Sequence, residues 1–257
     1  MKPTLEWIES LARQAGEILR AGLITGYSVH HKGVIDLVTE MDHRSEDFLI
    51  GAVRQRFPDH RIISEEAGSL AGVSTGLWHI DPLDGTVNYA HGLPIFCVSI
   101  AYEEDGQAQL GVVYVPLLDE MFSAERGKGA TLNGKPIHVS QETSLDQSLL
   151  ATGFPYDVRT RPDNNLNHVG YFSLCTQGVR RLGAAAVDCC YVACGRLDGY
   201  WELIVKSYDV AAGGLIAEEA GAAVTTIQGS PQYLAYETSI LAAPPVIHRQ
   251  MLPEFNP

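Results

Sequence analysis

"HIDPLDGTVNYAHG", His79 to Gly92, sets two aspartates three residues apart around a proline at the end of an apolar run, and follows them at once with Gly-Thr. Pro82 restricts the backbone between Asp81 and Asp84, and Gly85 suggests a tight turn into a new element. Just upstream, "RIIS" (61–64) is another short apolar run that ends in acids, Glu65 and Glu66. Both stretches read as strands with carboxylates at their ends, where sites on a rigid sheet are usually built.

Around this centre the pattern is first helical. Leu5, Ile8, Leu11, Ala12, Ala15, Ile18 and Leu19 recur at three and four, which predicts an amphipathic helix over about Thr4 to Leu23. A loop, "TGYSVHHKG", follows, with His30 and His31 placed to reach a substrate. A second helix is expected from about Asp42 to Phe57, with Phe48, Leu49, Ala52, Val53 and Phe57 on one face, Asp42 as N-cap and Pro58 as stop. Between Phe96 and Val139 the chain reads as an antiparallel meander, turning at "EDG" (104–106) and at Asn133-Gly134. Beyond it strands and helices alternate: strand "SLLATG", a helix from about Pro162 to Gln177, strand "GVRRLG", helix "AAAVDCCYVACG", strand "DGYWEL", helix "DVAAGGLIAEEAG" and strand "AAVTTI". No repeat or linker separates the two regions, so a layered α and β fold with mixed sheets and a shared interface is expected.

With 257 residues, 46% of them hydrophobic, the chain can bury a core as one large domain or two packed halves. It has no long uncharged apolar run, and its first 23 residues carry charges throughout, which points to a soluble, cytoplasmic protein that does not engage a membrane. The net charge of −13, from 18 basic and 31 acidic residues, disfavours a nucleic-acid partner. Five cysteines (97, 175, 189, 190 and 194) form no CxxC pair and read as reduced, buried thiols. The nine histidines show no metal-binding spacing.

Carboxylates adjoin element ends in four places: Asp42, Glu65 with Glu66, Asp81 with Asp84, and Asp209 in "SYDVAAGG". Each alone reads as a cap or a solvated turn. Together they are harder to dismiss, because clustered carboxylates at the end of an apolar strand are costly without cations. Oxygen donors without a Cys or His cluster point to Mg²⁺ or Mn²⁺. A helix N-terminus opening at Gly85-Thr86 would offer free N–H groups to an anion, and carboxylates for metals beside amides for an anion suggest phosphate. Thr86 could then orient an attacking water and Glu65 accept its proton, with two ions about 4 Å apart stabilising the attacking and leaving oxygens.

"DPLDGTVNY", the upstream "SEE" and the downstream "YDVAAGGLIAEEAG", in this order, resemble the three signature segments of the inositol monophosphatase family of Mg²⁺-dependent, lithium-sensitive phosphatases. The similarity runs from about Leu5 to Val246. It implies an αβαβα layered sandwich, the sugar-phosphatase fold, acting as a single catalytic domain in two packed halves. These are an α+β half with an antiparallel sheet over about residues 1–143, and an α/β half with a mixed sheet over about 144–257. At matched positions, Glu65, Asp81 and the Leu83 carbonyl would hold one metal, and Asp81, Asp84 and Asp209 a second near the leaving oxygen. A third, weaker metal would lie near Glu65. Glu65 and Thr86 would orient the attacking water, with Asp42 supporting the Thr86 hydroxyl, and Lys32 matches a loop lysine. The phosphate would rest on the amides of Gly85 and Thr86, between Asp84 and Asp209, while Gly183, Ala185 and Glu202 match positions that contact inositol hydroxyls.

Ala184, Tyr208 and Lys206 depart from the residues common at their positions, a Ser or Thr, a Trp and a His, and bear on the choice of polyol. Within the wider superfamily "GTVNYAHGLPIFCVSIA" resembles inositol monophosphatases, which implies inositol-1-phosphate as substrate. A broader sugar or polyol phosphatase, including fructose-1,6-bisphosphatase activity, is the alternative. The resemblance further implies a homodimer, and, from some bacterial members, a regulatory partnership with the transcription machinery as a competing class of function.

Overall fold

The computed structural model describes residues 2–31, 33 and 37–255. Helix α1 (Leu5–Thr25) turns one apolar stripe inward and ends at Gly26, whose positive φ of 84° suits a glycine. The short strands β1 (Val29–His31) and β2 (Leu37–Thr39) pair antiparallel, so His30 and His31 sit exposed on a strand instead of in a loop. Helix α2 (Glu40–Arg56) begins two residues before its expected start. Thr39, not Asp42, is the N-cap, and Asp42 is the third helical residue, returning its carboxylate to the Thr39 N–H in a capping box.

Next come β3 (Arg61–Ser64), β4 (Gly68–Leu70), β5 (Leu77–Asp84) and the short α3 (Thr86–Ala90). The meander follows as β6 (Cys97–Glu104), β7 (Gln107–Val115), β8 (Glu120–Glu125), β9 (Ala130–Leu132) and β10 (Lys135–Pro136). Its two expected turns carry positive φ at Asp105-Gly106 and Asn133-Gly134, the geometry that suits two-residue hairpins. These strands form one eight-stranded sheet in the order β10-β9-β8-β7-β6-β5-β3-β4. It is antiparallel apart from the β3–β5 pair, which runs parallel because the chain between them forms β4 on the outer edge before returning.

The second half contributes β11 (Leu149–Thr152), α4 (Leu166–Cys175), β12 (Gly178–Arg180), α5 (Ala185–Ala193), β13 (Gly199–Lys206), α6 (Ser207–Glu219), β14 (Ala223–Thr225), β15 (Glu237–Ala243) and α7 (Pro245–Met251). Five of these strands make a mixed sheet, β12-β11-β13-β15-β14. Helix α4 is shorter than its expected span because Asn165 is held left-handed at its start. The Asn165 amide donates to Thr152 Oγ1 and the Gly153 carbonyl and accepts from the Trp201 indole. Strand β15, between β13 and β14, and the closing helix α7 have no counterpart in the sequence reading.

The layers stack as α1 and α2, the large sheet, α5 and α6, the small sheet, then α4 and α7. One apolar cluster lies between α1, α2 and the large sheet, a second surrounds α5 and α6 between the sheets, and a third lies under α4 and α7. This is the expected αβαβα sandwich. Small residues let α6 lie close: a Cβ at Gly213 would meet Cys189 Cβ at 2.7 Å, and one at Gly111 would meet the Ala212 carbonyl at 3.0 Å.

Candidate functional site

In a regular strand, residues three apart face opposite sides of the sheet. Asp81 pairs with Ser99 and Asp84 with Cys97, so three residues of β5 advance against two of β6. The extra residue is a β-bulge at Pro82-Leu83, where a proline is tolerated inside a sheet, and it turns both carboxylates to the face that meets α6. The Pro82 carbonyl accepts from Ser45 Oγ at 2.9 Å, and the Leu83 N–H donates to Asp81 Oδ1 at 3.0 Å. Gly85 then takes φ of 90° as the cap of α3, and a Cβ there would sit 2.9 Å from the Ile95 carbonyl, so no other residue fits without strain.

Thr86 points back at this turn. Its hydroxyl lies 3.0 Å from Asp42 Oδ1 and 3.1 Å from the Leu83 carbonyl. Asp42, fully buried, accepts at its other oxygen from the Thr39 N–H at 2.8 Å and the Thr39 hydroxyl at 2.6 Å. Carboxylate oxygens of Asp42, Glu65 and Glu66 lie within 4.8 Å of one another. The loop carrying those glutamates is held by Glu46, which accepts from Ser64 Oγ and from the Glu66 and Ala67 N–H groups. Glu46 was not singled out in the sequence; its spacing of four from Asp42 and three from Leu49, on the stripe that α2 turns inward, was the available signal.

The second half closes the site. Asp84 accepts from the Ala186 N–H at 2.8 Å and the Ala185 N–H at 3.3 Å, both at the start of α5. The Ala185 N–H thus faces Asp84 at the cavity wall. Asn88 joins the halves by donating to the carbonyls of Ile95 at 2.6 Å and Leu182 at 2.7 Å, beside Gly183. Asp209 is held by the Lys206 N–H at 2.7 Å. Glu65, Asp84, Gly183, Ala185, Glu202 and Asp209 line one cavity of about 330 Å³, and Arg181 and Arg161, the latter passed over in the sequence reading, lie on its wall. A larger cleft of about 770 Å³, with Glu103, Arg126 and Glu218 on its wall, holds none of these residues. Lys32 lies outside the described residues.

Electrostatics single the cluster out. Burial, then the charges of Glu65, Asp84 and Asp209, push the Asp81 carboxyl well above its ordinary range. Burial and the neighbouring Asp84 do the same to Asp209. Asp84 is raised by burial to about 6 even though N–H groups and the Cys97 thiol oppose the shift. Carboxyls that cannot all ionise beside one another are relieved by a divalent cation. Cys97 is the soft donor nearest Asp84, and burial holds its thiol well above the usual range, so it stays protonated and donates to Asp84 at 3.6 Å. The remaining donors are carboxylates and a carbonyl, a set that fits a hard cation such as Mg²⁺ or Mn²⁺ and not zinc or copper.

The inositol monophosphatase family model matches residues 1–256. The chain belongs to the inositol monophosphatase family. It is similar to an inositol-1-monophosphatase of Synechocystis sp., at 48% identity over 84% of this chain and 75% of the relative. A Nus factor SuhB of Pseudomonas aeruginosa is 43% identical over 91% of this chain and 89% of that protein. Among solved structures, an inositol monophosphatase from Anabaena (Nostoc) sp. superposes with a TM-score of 0.87 at 43% identity, covering 97% of this chain and 93% of the other. Membership in this family of metal-dependent phosphatases supports phosphatase activity toward a small-molecule phosphate ester. Among the described residues, no helix is long and apolar enough to cross a membrane.

Proposed function

We propose that the protein is a cytoplasmic Mg²⁺-dependent phosphomonoesterase that hydrolyses inositol-1-phosphate to inositol and phosphate, working as one catalytic domain in two halves and as a homodimer. The observation that carries the reading is the convergence of Glu65, Asp81, Asp84 and Asp209 beside the Asp42–Thr86 pair, at a cavity that also holds Glu202.

Glu65, Asp81 and the Leu83 carbonyl would hold one cation, and Asp81, Asp84 and Asp209 a second. Two such ions supply charge neutralisation at the attacking and leaving oxygens, and Mn²⁺ would substitute for Mg²⁺. The chain's own groups do the rest. Asp42 accepts from the Thr86 hydroxyl, which turns the hydroxyl's lone pairs toward an incoming water. That water, donating one proton to Thr86 and losing the other to Glu65, presents a lone pair in line with phosphorus. The amides of Gly85 and Thr86 donate to the phosphate. Glu202, whose carboxyl burial raises to about 7 against the hydrogen bond from Tyr200, lies on the cavity wall to meet polyol hydroxyls as acceptor or donor.

The test is phosphate release from inositol-1-phosphate, fructose-1,6-bisphosphate, histidinol phosphate and 3′-phosphoadenosine-5′-phosphate, with and without Mg²⁺ and with Li⁺. Mg²⁺-dependent, Li⁺-inhibited preference for inositol-1-phosphate is expected. Preference for another ester would keep the metal site and overturn the assignment of Gly183, Ala185 and Glu202. The relatives named as Nus factors favour a second reading, a regulatory partner of the transcription machinery. If wild type and Asp84→Asn release no phosphate from any ester while both bind such a partner, that reading replaces the first.

A further inference from the structure

The cluster draws its carboxylates from two elements far apart in the chain. Asp81 and Asp84 ride on β5, and Asp209 is the third residue of α6. Side chains of the large sheet tie the first turn of α6 in place. His79 lies two residues before Asp81 and therefore on the same sheet face. It is 1% exposed, with Nδ1 3.0 Å from Ser207 Oγ, on the first residue of α6, and Nε2 2.8 Å from Glu103 Oε2 on β6. A carboxylate only accepts, so the ring proton sits on Nε2, and in the neutral ring Nδ1 accepts from the Ser207 hydroxyl. Beside it Ser99, the partner of Asp81 across the β5–β6 ladder, donates to the Tyr208 carbonyl at 3.4 Å. Both residues that precede Asp209 in α6 are thus held by the two strands that carry or face Asp81.

We propose that His79 is a positioning residue which, through Ser207, sets where Asp209 stands against Asp81 and Asp84, and so sets the affinity of the cation step that needs all three. The inference rests on the reading of those aspartates as metal ligands. A buried imidazole with two partners also stabilises a fold in general, and the two roles differ in what they predict. A structural role lowers the melting temperature and leaves the binding steps alike. A positioning role acts on the step that requires Asp209. The two arms of the ring separate as well, because Asn reproduces the reach of Nδ1 to Ser207, whereas Gln reproduces the reach of Nε2 to Glu103.

The experiment is calorimetric titration of Mn²⁺ into the chelator-treated full chain, with the melting temperature of each variant measured alongside. Asp209→Asn is the reference, and the Mn²⁺ step that it abolishes is the one that requires Asp209. Ser207→Ala, which removes a single hydroxyl, and His79→Gln are expected to weaken that same step about ten- to a hundredfold, the usual loss when a group that orients a ligand is removed, and to leave any other step within about threefold. His79→Asn is expected to keep the Asp209-dependent step near its wild-type affinity even where it lowers the melting temperature. If Asp209→Asn leaves every step intact, the assignment of the metal site itself fails. If Asp209→Asn removes a step while Ser207→Ala leaves that step unchanged, or if the Asn and Gln variants at position 79 lose it alike, the positioning role is refuted and His79 serves the fold alone.

Discussion

Removing divalent cations and raising the pH should destabilise this protein together. The Asp84 carboxyl is lifted from 3.8 to about 6 and that of Glu202 from 4.5 to about 7, in both cases first by burial. Between about pH 4 and 7 the native protein therefore keeps protons that the unfolded chain has released, so stability falls as pH rises through this window and levels off above it. With each pH unit of displacement equivalent to about 1.4 kcal/mol, the two groups together withdraw about 4 kcal/mol between pH 5 and pH 8. Both side chains are partly open to the cavity, and screening by solvent brings this to about 2 kcal/mol. For a chain of this length that is about 4–8 °C in melting temperature. Asp81 and Asp209 shift in the same direction and add to it. Saturating Mg²⁺ should remove the share owed to Asp84, Asp81 and Asp209 and leave that of Glu202, which Glu202→Gln would remove in turn. Differential scanning calorimetry at pH 5 and pH 8, with chelator and with Mg²⁺, reads all four corners. A metal-free melting temperature that rises from pH 5 to pH 8, or a Mg²⁺ gain equal at the two, would refute the account of the buried carboxylates.

Other perturbations divide the site by role. Thr86→Ala should lower kcat by about a hundredfold or more while leaving Mn²⁺ affinity nearly unchanged, since it removes a hydroxyl and no charge, whereas Glu65→Gln should reduce both. Equal losses of Mn²⁺ binding in the two variants, read by calorimetry, would contradict that division. Gly153→Ala would place a Cβ 1.7 Å from Glu202 Oε1, so the carboxylate must move, and KM for a polyol phosphate should rise about tenfold while turnover of a small aryl phosphate is spared. An unchanged KM would remove Glu202 from substrate recognition. Glu46→Ala strips the partners from Ser64 Oγ and from the Glu66 and Ala67 N–H groups, and at about 1 kcal/mol or more for each lost bond should cost about 3 kcal/mol together with weaker Mn²⁺ binding. Loss of stability with metal affinity intact would show that the glutamate loop holds its shape without Glu46.

Much of the fold was legible because its signals are local. Apolar spacing at three and four marked α1, and paired positive-φ residues marked the turns of the meander. Strand β15 escaped because Ile240 to Ala243 is an unbroken buried run, in which no alternation separates strand from helix, and its place between β13 and β14 is decided by partners elsewhere in the chain. The start of α2 was misplaced because Asp42 suits an N-cap as well as the third position of a capping box, and only the reach of Thr39 distinguishes them.

By itself the sequence determined that carboxylates gather at strand ends beside a Gly-Thr turn, the residue types suited to a cation and a phosphate, since motif, turn chemistry and periodicity act over a few neighbours. Tertiary structure alone decided how they meet. A one-residue bulge turns Asp81 and Asp84 to one face, Thr86 reaches Asp42 across 44 residues, Asp84 takes N–H groups from 101 and 102 residues away, and His79 grips the helix of Asp209 across 128. Those contacts form only because two sheets bury their apolar faces against α5 and α6, a property of the whole packed chain that no local stretch encodes.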